Sequence, residues 1–215
     1  MKKRYRQHVN PLKMTALVPR EGPLDLSDGP AVEVELGCGD ARFIIELARS
    51  FPDVLFVGLD IRDEFLDLGR AELQRLGLDN VLLQTSNLIA DIDRLFFRGR
   101  VRRFYINFPD PWFKARQQNR RWLGRETLPH LMDALQTRGE LFFQSDVWEL
   151  ALGALSLFEG EPRLANMVEE WCFLRDSPFE SKSSRELACE EEHRAIWRMH
   201  FIKLEGEEDG EEEYD

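Results

Sequence analysis

Residues 107–123, NFPDPWFKARQQNRRWL, gather side chains that could hold a nucleic-acid base beside its backbone. Asp110 stands between Pro109 and Pro111, each with a fixed φ and no N–H to donate. Both prolines bias the residues before them, Phe108 and Asp110, towards extended geometry, so the loop should be stiff. Lys114, Arg116, Arg120, Arg121 and Arg125 follow with no acid among them. A carboxylate, an indole at Trp112 and a basic run suit a base, its stacking partner and its phosphates. The plainer alternative is a proline turn followed by a solvated basic helix.

A second set of residues points to a cofactor. ELGCGDA (35–41) has two glycines that let the backbone turn tightly and approach a ligand. A third glycine would complete a pyrophosphate-wrapping fingerprint, but Arg42 stands there. Glu35 would also repel pyrophosphate. A cationic ligand is more natural, and S-adenosylmethionine, with its sulfonium and ammonium, fits. Asp60, 21 residues after Gly39, is placed to accept both ribose hydroxyls. Asn87 can pair with the adenine edge or the ribose. Helix caps or ion-pair partners are the alternative roles for Glu35 and Asp60.

These residues need a frame. Strands are expected at 31–36, 54–60, 80–87, 101–106 and 138–146, from their apolar, β-branched content. Helices are expected from Asp40 to before Pro52, over 62–76, and near 88–97, 124–136 and 147–158, with Gly77 closing the second. Alternating strand and helix implies a parallel sheet covered on both faces. The segments 171–176 and 194–202 look like two late strands, making a seven-stranded sheet with an antiparallel hairpin. Ligands of such sheets bind beyond the carboxyl ends of the strands. That rule gathers Glu35–Ala41, Asp60, Asn87, Asn107–Trp112 and Ser145–Asp146 around one crevice. Asp146 could equally cap the helix that follows. Trp122, Trp148, Trp171 and Trp197 read as core.

The net charge of −11 over 215 residues argues against nucleic acid until it is located. The tail EGEEDGEEEYD (205–215) carries eight acids and no base, and without it the balance is −3. Residues 1–20 have six Lys/Arg and no acid, and residues 94–125 have ten against Asp110 alone. Two basic patches on an acidic body are compatible with RNA. Residues 1–30 read as a basic arm and linker, and the acidic end as disordered. No apolar run approaches a membrane span, and the basic N-terminus lacks a signal peptide's apolar segment. Cys38, Cys172 and Cys189 show no paired spacing, which suggests free thiols in a reducing cytoplasm. The four histidines have no ligand spacing, so no metal is expected.

In order, RYRQHVNPL, VELGCGDARF, VGLD, NFPDPWFKARQQNRRWL, QSD and SPFE resemble the bacterial single-chain tRNA (guanine-N(7)-)-methyltransferases over most of residues 4–202. The segment NFPDPW…KxR…RR carries most of the specificity. The resemblance implies a doubly wound, mostly parallel α/β sheet of the class I, Rossmann-like methyltransferase type over 31–204. It implies S-adenosylmethionine as cofactor and guanine N7 in the tRNA variable loop as target. Glu35, Gly37, Gly39, Asp60, Asn87 and Asp110 match cofactor-side positions, and Asp110 is also the catalytic candidate. Lys114, Asp146, Ser177, Pro178, Phe179 and Glu180 match tRNA-side positions, with Arg116, Arg120 and Arg121 in the basic run.

The chain departs from that pattern at Ala41, where a glycine is usual, and at Phe113, Gln117 and Asn119. It departs again at Ser177-Pro178, which replace threonine-lysine, and in SKSSRELACEEEHR (181–194), which replaces a glycine-rich stretch. These changes bear on tRNA affinity more than on the cofactor side. Two other functions share the residues: methylation of an exocyclic amine, and RNA binding by a lapsed enzyme of the same fold. Monomer and homodimer are both open.

Overall fold

The computed structural model describes residues 11–12, 22–24, 26, 31–111 and 122–205. Five parallel strands alternate with helices: β1 (Ala31–Leu36), α1 (Arg42–Ser50), β2 (Val54–Asp60), α2 (Asp63–Leu76), β3 (Val81–Thr85), α3 (Leu88–Asp91), β4 (Val101–Asn107), α4 (Leu128–Ala134) and β5 (Leu135–Ser145). Then come α5 (Trp148–Glu159), β6 (Leu164–Asn166), α6 (Ser184–Glu191) and β7 (Trp197–Lys203). The sheet order is β3-β2-β1-β4-β5-β7-β6, with β7 antiparallel to both neighbours. This is the expected seven-stranded, mostly parallel architecture. The order reverses beside β1, which opens a crevice above the carboxyl ends of β1 and β4.

Both faces of the sheet are buried, and the strand sequences show why. In β1, Val32, Val34 and Leu36 join a core with α3, α4 and α5 residues such as Leu88, Leu131 and Phe158. Phe56, Leu83, Tyr105 and Phe142 face the other way, against Phe43, Ile44 and Leu47 of α1 and Leu66 and Leu73 of α2. Glu33 and Glu35 alternate with the β1 apolar residues, so that second face buries two carboxylates. Glu33 is held there by Arg102 at 2.6 Å, Arg103 at 2.9 Å and the Tyr105 hydroxyl at 2.6 Å. Part of the expected linker belongs to the fold. Leu24 and Leu26 enter the first core, and the Leu24 N–H donates to the Leu95 carbonyl at 2.8 Å.

Several elements differ from expectation. Only Leu88–Asp91 of the third helix is helical, and α4 is confined to Leu128–Ala134 before the chain turns directly into β5. Residues 171–176 form no strand. A single bridge joins Leu174 to Arg198, and the edge strand is instead the short β6. Trp171 is 58% exposed and Trp148 44%, so neither is core, although Trp148 packs against Phe173 and Trp197. Among the described residues, no helix is long and apolar enough to cross a membrane. None of Cys38, Cys172 and Cys189 is in a disulfide.

Candidate active site

A crevice of about 800 Å3 opens at the carboxyl ends of β1–β4, with Gly37, Asp60, Asn87 and Asp110 in its lining. The turn after β1 is pinned from below: the Gly37 and Cys38 N–H groups both donate to the Leu59 carbonyl, at 2.8 and 2.9 Å. Gly37 and Gly39 have φ of +84° and +58°, where a side chain is disfavoured. Ala41, with φ +58°, takes the same left-handed geometry without being glycine. That geometry costs an alanine about 1–2 kcal/mol, so the departure at this position carries a conformational penalty. The Gly39 N–H reaches Asp60 Oδ2 at 2.8 Å.

Asp60 is also clamped by a residue that the sequence did not single out. Arg62 donates its own N–H and Nε to Oδ1, and Nη2 to Oδ2, each at 2.9 Å. Asn87 caps α3 through Oδ1 and donates Nδ2 to the Pro11 carbonyl at 3.0 Å, so a piece of the N-terminal arm lines the crevice beside it. Asp91, buried in α3, secures the end of β3 by accepting from Ser86 Oγ at 2.8 Å and the Asn87 N–H at 3.1 Å.

Glu35, one residue before Leu36 of the crevice wall, does not itself line the crevice and is 1% exposed. Its Oε1 accepts from Asn107 Nδ2 at 2.7 Å, while Oε2 is buried without a hydrogen-bond partner. Burial raises its pKa well above the ordinary carboxylate range, the Asn107 bond opposes this, and the nearby charges of Asp40 and Asp60 raise it further. Asn107 continues a polar chain across the sheet. Gln144 Nε2 donates to Asn107 Oδ1 and to Glu186 Oε2, both at 2.9 Å, and Arg198 reaches Gln144 at 3.1 Å and Glu186 at 2.7 Å. The register pairs Asn107 with Gln144 and Gln144 with Arg198, so three adjacent strands present these groups side by side. Amides within otherwise apolar strands are the sequence signal that could have found this chain.

The Asp110 loop is shaped differently from expectation. Phe108 has φ +51°, left-handed rather than extended. Its N–H bonds the Gln144 carbonyl at 2.8 Å, which extends the β4–β5 ladder by one residue before the backbone turns sharply into Pro109. An aromatic residue in this region is strained by about 1–3 kcal/mol. The strain sits where Asp110 is aimed into the crevice.

The residues matched to the tRNA side do not line this crevice among the described residues. The Asp146 side chain is 3% exposed and ion-paired with Arg185 and, at 3.6 Å, Arg194. It does not cap α5, because the Val147 N–H bonds Ser145 Oγ instead. Ser177 Oγ accepts from the Phe179 N–H at 3.2 Å, and Pro178 and Glu180 are exposed. Phe179 packs into an aromatic cluster with Tyr105 and Phe142, at centroid distances of 5.2 and 5.0 Å. Trp112, Phe113, Lys114, Arg116, Arg120 and Arg121 lie outside the described residues.

The donor set suits a cation and a sugar better than a pyrophosphate. Glu35 offers an orphaned carboxylate oxygen, Asp60 an acid at the second strand end, and Gly37 and Gly39 a bare turn. Among the described residues, no cluster of His, Cys, Asp and Glu could hold a metal ion.

Known proteins resemble this chain in sequence and in fold. A family model described as "Putative methyltransferase" matches residues 30–199. A tRNA (guanine-N(7)-)-methyltransferase of Synechococcus elongatus is 33% identical over 93% of this chain and 96% of its own. One from Prochlorococcus marinus is 31% identical over 92% and 96%. Among solved structures, an S-adenosylmethionine-dependent O-methyltransferase of Thermotoga maritima superposes with TM-score 0.55 at 16% identity, covering 84% of this chain and 62% of that one. An rRNA methylase of Streptococcus thermophilus superposes with TM-score 0.53 at 13% identity, covering 83% and 89%. The structural neighbours share the fold, the sequence relatives match nearly the whole chain, and on that footing the protein belongs to the tRNA (guanine-N(7)-)-methyltransferase family.

Proposed function

We propose that this chain methylates N7 of a guanine in the variable loop of tRNA, with S-adenosylmethionine as methyl donor, in the cytoplasm where tRNA is found. The observation that carries the reading is the crevice at the strand ends, lined by Asp60, Asn87 and Asp110, with Glu35 Oε2 buried and unpaired one residue before its Leu36 wall. When bound, S-adenosylmethionine supplies an electrophilic methyl group on a positively charged sulfur. Glu35 offers a negative charge to a cation, Asp60 accepts ribose hydroxyls, and the bare turn at Gly37 and Gly39 admits the cofactor close to the backbone. Asn87 keeps one amide hydrogen beyond its bond to Pro11 for the nucleoside.

Guanine N7 has an in-plane lone pair and no proton, so no general base is needed. The demand on the protein is alignment of the acceptor with the methyl group. The methylated purine is cationic, and the Asp110 carboxylate stabilises the charge that develops on it. The target base must leave its stack to enter the crevice. Two adjacent donors on its Watson–Crick edge suit one carboxylate. Glu180 is exposed next to the anchored Phe179, whereas Asp146 is already engaged by Arg185 and Arg194. Lys114, Arg116, Arg120 and Arg121 take the phosphates.

The test is incubation of the purified chain with labelled S-adenosylmethionine and unmodified tRNA, followed by nucleoside analysis. Label in N7-methylguanosine is the expected result. Label in an exocyclic N-methyl nucleoside, or none in RNA, would overturn the assignment.

A further inference from the structure

Asp60 accepts two backbone and two guanidinium hydrogen bonds, which fill the acceptor capacity of a carboxylate. The backbone pair belongs to the turns after β1 and β2 and cannot leave without undoing them. The guanidinium pair comes from a side chain that lines the crevice and is 20% exposed, and its departure leaves both turns intact. As it stands, Asp60 has no acceptor position left for a sugar diol.

We propose that Arg62 is a side-chain gate of the nucleoside pocket, resting on Asp60 when no nucleoside is bound and swinging off it when ribose hydroxyls take its place. The inference rests on the cofactor reading above. The swing does not strand a charge. In the resting position the Arg62 guanidinium already lies over the Phe65 ring at 4.4 Å, a favourable cation–π position. Burial works against the Arg62 charge, but the hydrogen bonds and charge of Asp60 and the charge of Asp110 outweigh it and raise its pKa. Off Asp60 it stays ionised because a guanidinium does not deprotonate in proteins, and Asp110 remains within electrostatic reach. A gate of this kind lowers apparent cofactor affinity by the fraction of molecules in which Asp60 is free. It also selects for ligands that return two hydrogen bonds to Asp60.

S-adenosylhomocysteine binding, followed by calorimetry and stopped flow, tests this on wild type, Arg62→Ala and Arg62→Gln. The Gln variant keeps the stem and a single neutral donor, should the shorter side chain fail to fold. Both variants should bind faster and tighter, by roughly tenfold for release of a charged hydrogen-bonded pair. The gain should also appear with adenosine and vanish with 2′,3′-dideoxyadenosine. Unchanged or weaker binding in both variants would overturn the gate and make Arg62 a brace for Asp60. An equal gain for both nucleosides would overturn it too, because the gain would then not pass through the diol. Failure of the wild-type protein to bind S-adenosylhomocysteine at all would instead refute the cofactor reading.

Discussion

Replacing Glu35 by Gln should make the protein more stable and a worse binder of its cofactor. Glu35 is buried with one carboxylate oxygen unpaired, and burial holds its pKa well above the ordinary range. A folded-state pKa above the unfolded value means that the folded protein binds more protons in between. Stability is therefore lost as pH rises from the ordinary carboxylate range, near 4.5, to the raised value, and the loss is constant beyond it. Gln keeps an oxygen for the Asn107 bond and removes the ionisation. The Gln amide N–H is left as unpaired as Oε2, so what the variant removes is the charge. Burial of that charge costs more than the ~1–3 kcal/mol of an unpaired neutral group, and each kcal/mol is worth about 2–4 °C in Tm for a chain of this size. The Gln variant should melt several degrees higher at pH 8, with the gap closing towards pH 4. Its S-adenosylmethionine affinity should fall, since the opposing charge is gone. Thermal melts across pH, paired with calorimetric titration, check both parts. A Gln variant less stable at pH 8, or a stability gap indifferent to pH, would refute the account of Glu35 as a costly buried carboxyl.

Asp110→Asn keeps the shape of the loop and removes the charge, so turnover should fall about a hundred- to a thousand-fold with tRNA binding little changed. Single-turnover kinetics at saturating tRNA and cofactor check it, and near-normal turnover would move the chemistry to Asp146 or Glu180. Glu186→Ala would leave Arg198 charged and largely buried without its 2.7 Å partner, costing about 3–5 kcal/mol in urea unfolding. Adding Arg198→Met should recover most of that loss. Gly58→Ala would place a Cβ 2.7 Å from Ile44 Cδ1 and Leu83 Cδ2 and 2.9 Å from Cys38 Sγ. It should cost about 1–3 kcal/mol, read as a lowered Tm.

The five parallel strands and the residues at their ends were legible from sequence because each rests on local information. Strand-like runs of six to nine residues, a helix between each pair and a turn residue at each end leave few other topologies. Gly37, Asp60, Asn87 and Asp110 meet in one crevice because a parallel sheet carries every strand's carboxyl end to the same edge. The edge of the sheet was less legible. WCFLRD has the composition of a strand, but the antiparallel edge of β7 pairs with Leu164–Asn166, and a three-residue strand has too little periodicity to announce itself. What surrounds each acid was settled only in three dimensions. Asp60 is saturated by Arg62, Glu35 is left with an unpaired oxygen at the end of an Asn107–Gln144–Glu186 chain, and Asp146 is tied to Arg185 on α6. Apart from Asp60 and Arg62, these partners are tens of residues apart in sequence. A carboxylate's type and place on a strand follow from the chain, whereas its burial and hydrogen-bond partners depend on which distant segments the tertiary fold packs against it.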